Sequence, residues 1–131
     1  MHAERLLRLA DHLETTVAAM PPERFNMRTW GMESRCGTVC CALGHAAQIP
    51  EFQELGLRLE WEHDEATDTR HADVIYRERI GYGAAQAFFD LTPEGSRWLF
   101  RAADYAGAPV TPAVVAARIR ELVARMSEAQ G

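Results

Sequence analysis

The apolar pattern predicts a mainly α fold within the α+β class: one compact helical domain over residues 1–131, with about five helices around a buried central helix and one small antiparallel β-hairpin. Three observations lead there. Apolar residues recur at three- and four-residue spacing near both ends of the chain. The segment opening at Cys36 has no polar stripe, and two-residue alternation is confined to residues 57–61 and 73–77. The 131 residues are 47% hydrophobic and 25% charged, ordinary for one globular domain and too apolar for a wholly disordered chain.

The first helix is read from Leu6, Leu9, Leu13, Val17 and Met20, with Arg5, Arg8, His12 and Thr15 on its wet face and Pro21-Pro22 ending it. A loop follows over residues 23–35. Its Phe25, Met27, Trp30 and Met32 are expected to plug the core, because large aromatics are buried on average. An apolar loop incompletely covered by its own domain would instead be a docking surface.

The run Cys36-Gly37-Thr38-Val39-Cys40-Cys41-Ala42-Leu43-Gly44-His45-Ala46-Ala47 is apolar on every side, which predicts the buried central helix. Ser34 is placed to cap its start and Pro50 to end it near Ile49, while Gly37, Cys41, Gly44 and Ala47 let neighbours pack close.

Leu57, Leu59 and Trp61 alternate with charged residues, as do Val74 and Tyr76 less cleanly. The polar stretch 62–71 between them makes a hairpin with a long tip. Gly81-Tyr82-Gly83 leads into a short helix burying Ala84, Ala87, Phe88 and Leu91. Thr92-Pro93-Glu94 opens the next helix, which runs to about Phe100, and Thr111-Pro112 opens the last. Val115, Ile119, Leu122 and Met126 form the last helix's expected buried stripe.

Nineteen acidic residues against fourteen basic ones give a net charge of −5, which argues against a nucleic-acid module held by bulk charge. Every basic residue is arginine, so Schiff-base chemistry, a lysine-bearing phosphate loop and a lysine general base are excluded. Charges interrupt the N-terminal region where a secretory signal needs an apolar run, and Glu4, Asp11 and Glu14 disfavour a transit peptide. No stretch has the apolar length of a membrane span, and three cysteines make a poor disulfide framework. The expectation is a cytoplasmic protein with reduced thiols, no membrane or nucleic-acid partner and no cofactor.

The run from Cys36 to Ala47 resembles the core of a family of small uncharacterised bacterial and phage proteins, whose pattern reads roughly C-G-T-x-x-C-x-x-G-[HW]-A. The resemblance extends to Phe25-Asn26-Met27-Arg28-Thr29-Trp30, to residues 52–59 and 84–91, to Trp98-Leu99-Phe100 and to residues 111–119. It implies that Cys36 and Cys41 match the pattern cysteines, that Cys40 falls on a free position, and that His45 falls where tryptophan is also accepted. It implies no activity.

Candidate chemistry centres on Cys36, Cys41 and His45. Zinc needs about four converging ligands. On an intact helix Cys36 pairs with Cys40 and Cys41 with His45, and at about 100° per residue His45 lies opposite Cys36. A metal site would therefore need distant ligands such as His63 or His71. Cys36 beside Arg35 near a helix start has features that lower a thiol pKa, but its base would have to come from elsewhere, His12 or His71 for instance. A Cys36–Cys41 bridge requires Cys36 to precede regular helix.

The hairpin tip (Glu62, His63, Asp64, Glu65, Asp68 and His71) has oxygen ligands without the order of a calcium loop, and reads as a solvated turn. Gly81-Tyr82-Gly83 lacks the third glycine of a dinucleotide-binding turn. Arg118, Arg120 and Arg125 are interleaved with acids, a mixed solvated face. Packing signals are complete and no catalytic set is. The chain is therefore expected to be a non-catalytic protein-interaction or self-associating module, with a cysteine-dependent enzyme or Cys/His metal protein centred on Cys36, Cys41 and His45 as the alternative.

Overall fold

A computed structural model describes residues 1–34, 37–105 and 109–130. The first helix, α1 (Ala3–His12), buries Leu6, Leu9 and Ala10 and runs into a π-helical turn, Leu13–Val17, that buries Leu13 and Val17. Within that turn the Ala18 amide donates to the Leu13 carbonyl at 3.0 Å, and the Thr15 hydroxyl donates to the Asp11 carbonyl at 2.8 Å. Pro21 and Pro22 stop the helix as expected, leaving a 3-10 turn, Pro22–Arg24.

The chain then departs from the helical expectation. β1 (Gly31–Ser34) and β2 (Gly37–Val39) form an antiparallel pair in the register Met32↔Val39 and Ser34↔Gly37. The expected central helix shrinks to α2 (Ala42–Ala46), one turn whose five residues are all buried, followed by α3 (Pro50–Glu54). A uniformly apolar run does not distinguish a buried strand from a buried helix. Here Gly37 at φ +110° breaks any helix before it starts, and Thr38-Val39 favours extended backbone. Cys41, not Ser34, caps α2: its φ of −74° and ψ of 179° are extended, and its sulfur accepts the Gly44 amide at 3.4 Å.

The hairpin is present as β3 (Leu57–Asp64) and β4 (Thr69–Tyr76), paired from Leu57↔Tyr76 to Asp64↔Thr69. The other edge of β4 pairs with β1 through Gly31↔Ala72 and Met32↔His71, and with β5 (Arg79–Ile80) through Ile75↔Ile80. The result is a five-stranded antiparallel sheet, order β2-β1-β4-β3 with β5 also on β4. The predicted single helical domain with one hairpin is thus corrected to an α+β fold, 52% helical and 21% strand, in which four of the six helices reach seven residues.

α4 (Tyr82–Phe89) buries Ala84, Ala85, Phe88 and Phe89, so Ala87 and Leu91 are only half-buried. α5 (Pro93–Phe100) and α6 (Pro112–Gln130) start at the expected caps: Thr92 Oγ1 accepts the Gly95 amide at 3.0 Å and Thr111 Oγ1 the Val114 amide at 3.2 Å. The buried stripe of α6 is Val115, Ala116, Ile119 and Val123. Met126 remains 38% exposed because the end of α6 runs beyond the core. Phe88 lies at the hub of that core, edge-on to Phe52 at 4.9 Å, Phe89 at 5.0 Å and Tyr76 at 5.1 Å between centroids. No helix among the described residues is long and apolar enough to cross a membrane.

Candidate functional site

The thiols and the imidazole at the centre of the molecule are arranged for packing. Cys36 lies outside the described residues. Cys40 follows β2 and is fully buried; its amide donates to the Arg24 carbonyl at 3.1 Å and its sulfur accepts from the Gln48 amide group at 3.3 Å. Burial pushes the Cys40 thiol up to about 12, with Cys41 adding to the effect, and burial pushes Cys41 up to about 11. Both are therefore protonated at neutral pH and poor nucleophiles.

His45 is 1% exposed, and its Nε2–H donates to the Arg24 carbonyl at 2.9 Å. A carbonyl can only accept, so this contact sets the tautomer. Burial pulls the His45 pKa down to about 4, and the neutral ring stacks on Phe25 with centroids 5.9 Å apart. His45 clips the loop of residues 24–25 onto α2.

Of the remaining candidates, His63 and His71 lie away from this cluster, while His12 lies near enough for its charge to act on His45. His63 pairs with Asp68 at 2.9 Å, and His71 bonds Thr69 at 3.1 Å on the exposed hairpin tip. His12 is half-buried on α1, which lowers its pKa. Among the described residues no three His, Cys, Asp or Glu side chains gather around a point that could hold a metal ion.

Two measurements follow from this geometry. In a Cys36→Ser variant, Cys40 and Cys41 are expected to react with a disulfide reagent at pH 8 at least ~100-fold more slowly than a free thiol, and at normal speed in denaturant. A fast phase in the folded variant would contradict it. The second concerns acid. The folded His45 pKa, about 4, lies below the ordinary 6.5, so between those values the unfolded chain binds a proton that the folded one refuses. Stability is full above pH 6.5 and falls as the pH drops toward 4, by at most about 1.4 kcal/mol per pH unit for this group. Urea melts at pH 7 and 5 should show that slope, and His45→Gln should reduce it, leaving the smaller part due to His12, whose pKa burial also lowers; equal slopes in wild type and variant would place the acid sensitivity elsewhere.

A concave surface lies on the other side of the same loop. Asn26 anchors the loop: its amide donates to the Cys40 carbonyl at 2.9 Å, its Oδ1 accepts the Arg28 amide at 2.9 Å, and its carbonyl accepts the Thr29 amide at 3.3 Å. The Cys41 amide donates to the Thr29 carbonyl at 2.7 Å, which presses residues 29–30 against α2. The loop thereby forms one wall of a furrow.

At one end a concavity of about 590 Å³ opens between residues 27–30, Tyr82 and residues 101–103, with Trp30 edge-on to Tyr82 at 4.9 Å. A second, of about 300 Å³, shares Met27, Arg28 and Ala102 with the first and adds Asn26 and Tyr105. A third, of about 450 Å³, shares Phe25, Pro109 and Val110 with the second and is uncharged throughout its described lining. The far wall is stiffened by Arg118, which stacks 3.6 Å from the Tyr105 ring centroid and donates to the Trp98 and Asp104 carbonyls at 2.8 and 2.9 Å.

The charged residues in the furrow's described lining are arginines, with the Asp104 carboxylate near enough behind them to act on Tyr82. None of the nineteen carboxylates belongs to its described lining, which carries the guanidiniums of Arg28 and Arg101. Neither guanidinium has an ion-pair or hydrogen-bond partner among the described residues. Burial raises the Tyr82 pKa, Arg101 opposing it and Asp104 reinforcing it. Phe25 and Trp30, expected as core plugs, are half-buried; each packs one side on the core and lines the furrow with the other, and of the four expected anchors only Met27 is buried. Arg28 lies in the run 25–30 and Tyr82 in Gly81-Tyr82-Gly83, but neither run marks a binding site, and folding alone brings the two beside Arg101. No family model matches the chain, and no curated protein or solved structure matches it either.

Proposed function

We propose that the protein is a non-catalytic binding module, resident in the cytoplasm, that docks a segment of another protein in the furrow lined by the loop of residues 18–30 on one side and by residues 101–105 and 109–113 on the other. One observation carries this reading: in a chain of net charge −5, the furrow holds two guanidiniums without partners among the described residues, and no carboxylate in its described lining. A built cation pair of this kind favours an anionic partner and steers its approach. A cysteine-dependent enzyme or metal protein would have to be built on Cys36, because Cys40 and Cys41 are buried and protonated at neutral pH. The test compares two baits in native cell extract, wild type and Arg28→Glu/Arg101→Glu, after equal melting temperatures are verified. A partner enriched on wild type and lost on the double variant supports the reading; identical partner sets on both baits overturn it.

A further inference from the structure

We infer that the furrow takes an extended peptide segment with acidic residues at one end and a large apolar side chain at the other. The inference rests on the binding-module reading above and adds the chemistry and polarity of the partner. The two ends differ in kind. Arg28 and Arg101 flank the Trp30–Tyr82 end, where two forked guanidiniums suit a carboxylate pair. The opposite end is walled by Pro21, Pro22, Pro109 and Pro112 with Met20 and Phe25. Proline offers a wall already fixed in shape and without an amide donor, which suits an apolar side chain.

Between the ends, Asn26 and Tyr105 line a polar stretch; the Tyr105 hydroxyl donates to the Leu99 carbonyl and Asn26 Oδ1 accepts the Arg28 amide, so the Asn26 side-chain NH2 is the group there that suits a peptide carbonyl, which a fatty acyl chain does not carry. A nucleic-acid strand fits worse. It would carry phosphates from the arginine end into a stretch with no charged residue in its described lining.

The test is a fluorescence-polarisation titration of the full chain with labelled peptides of about eight residues, which span at most ~28 Å extended. The panel carries Glu-Glu at one end and Leu at the other; its controls are Gln-Gln with Leu, Lys-Lys with Leu, and Glu-Glu with Ser. Oleate and a short oligothymidylate are the competing probes, and light scattering follows self-association.

Binding of the Glu-Glu/Leu peptide is expected to weaken at least about tenfold with either control lacking one end, and by a similar factor in Arg28→Gln or Arg101→Gln. Ala18→Glu, at an exposed position of the apolar end, should weaken it as much without changing the melting temperature. The affinity should also fall as salt rises.

No binding to any peptide, equal binding of the Gln-Gln peptide, or indifference to the arginine variants overturns the inference. Tighter binding of oleate or oligothymidylate, or self-association abolished by Arg28→Gln, overturns it by naming another occupant. If the two baits above still differ while every peptide fails, the binding module stands and only the assigned partner chemistry falls.

Discussion

The Gly44→Ala substitution is expected to lower stability by about 3 kcal/mol, the upper range for forcing extra volume into a packed interior. A Cβ at position 44 would fall inside the van der Waals envelope of the Trp30 carbonyl oxygen and 2.7 Å from Cys40 Cβ. The obstacle is backbone on one side and a short buried side chain on the other, so no flexible group can give way. Either α2 or residues 29–30 must shift, and the latter carry the Trp30 wall of the furrow. Thermal melts should record a drop of roughly 10 °C, with a change in tryptophan fluorescence. Gly83→Ala is the matched control, since its Cβ would meet only Arg79 Cβ at 3.8 Å. In helix α4 that change should stabilise by about 0.5–1 kcal/mol. Equal effects at the two positions would mean that α2 does not pack this closely against residues 29–30.

Phe88→Ala is expected to cost about 3–5 kcal/mol, at least a fifth of the stability of an ordinary domain. The ring is fully buried and touches aromatic rings from three elements: Phe52 of α3, Tyr76 of β4 and Phe89 beside it. Arg5 lies 4.5 Å from its centroid while donating to the Phe88 carbonyl at 2.7 Å, which ties α1 to the same hub. Removing the ring leaves a cavity whose walls belong to separate elements, so they cannot close over it together. Phe88→Leu keeps most of the volume and should cost less than half as much. Urea melts measure both; a loss below about 1 kcal/mol for Phe88→Ala would show that the core collapses around the gap.

Legibility followed the locality of each signal. Helices α1, α5 and α6 could be read because their starts and stops are written in adjacent residues: Pro21-Pro22, Thr92-Pro93 and Thr111-Pro112. The β3–β4 hairpin could be read because alternation is local as well. β1 and β2 could not, being four and three residues long, with their defining partners on β4 and on each other. The run 37–47 was misread for a related reason. Both a buried helix and a buried strand leading into a short helix require apolar residues throughout, and only the positive φ of Gly37 and the pairing of β1 with β4 separate them.

The candidate site divides in the same way. The thiols and the imidazole stood out as residue types, but burial decides what they do, and burial belongs to the whole molecule: the same Cys40 and His45 at a surface would be reactive and titratable. Neither Arg28 nor Arg101 stands out as a site residue, because a surface arginine is ordinary in sequence. Their meaning comes from sharing one furrow and lacking carboxylate partners among the described residues.

By itself the sequence determined the charge balance, the absence of lysine chemistry, the caps and stops of the longer helices, and the loop whose Phe25 and Trp30 invite a second role. Tertiary structure alone decided the extra strands, the protonated state of the central thiols and the meeting of Arg28 and Arg101 in one furrow. Each of these depends on groups far apart in the chain, and desolvation and charge proximity exist only once those groups have been brought together.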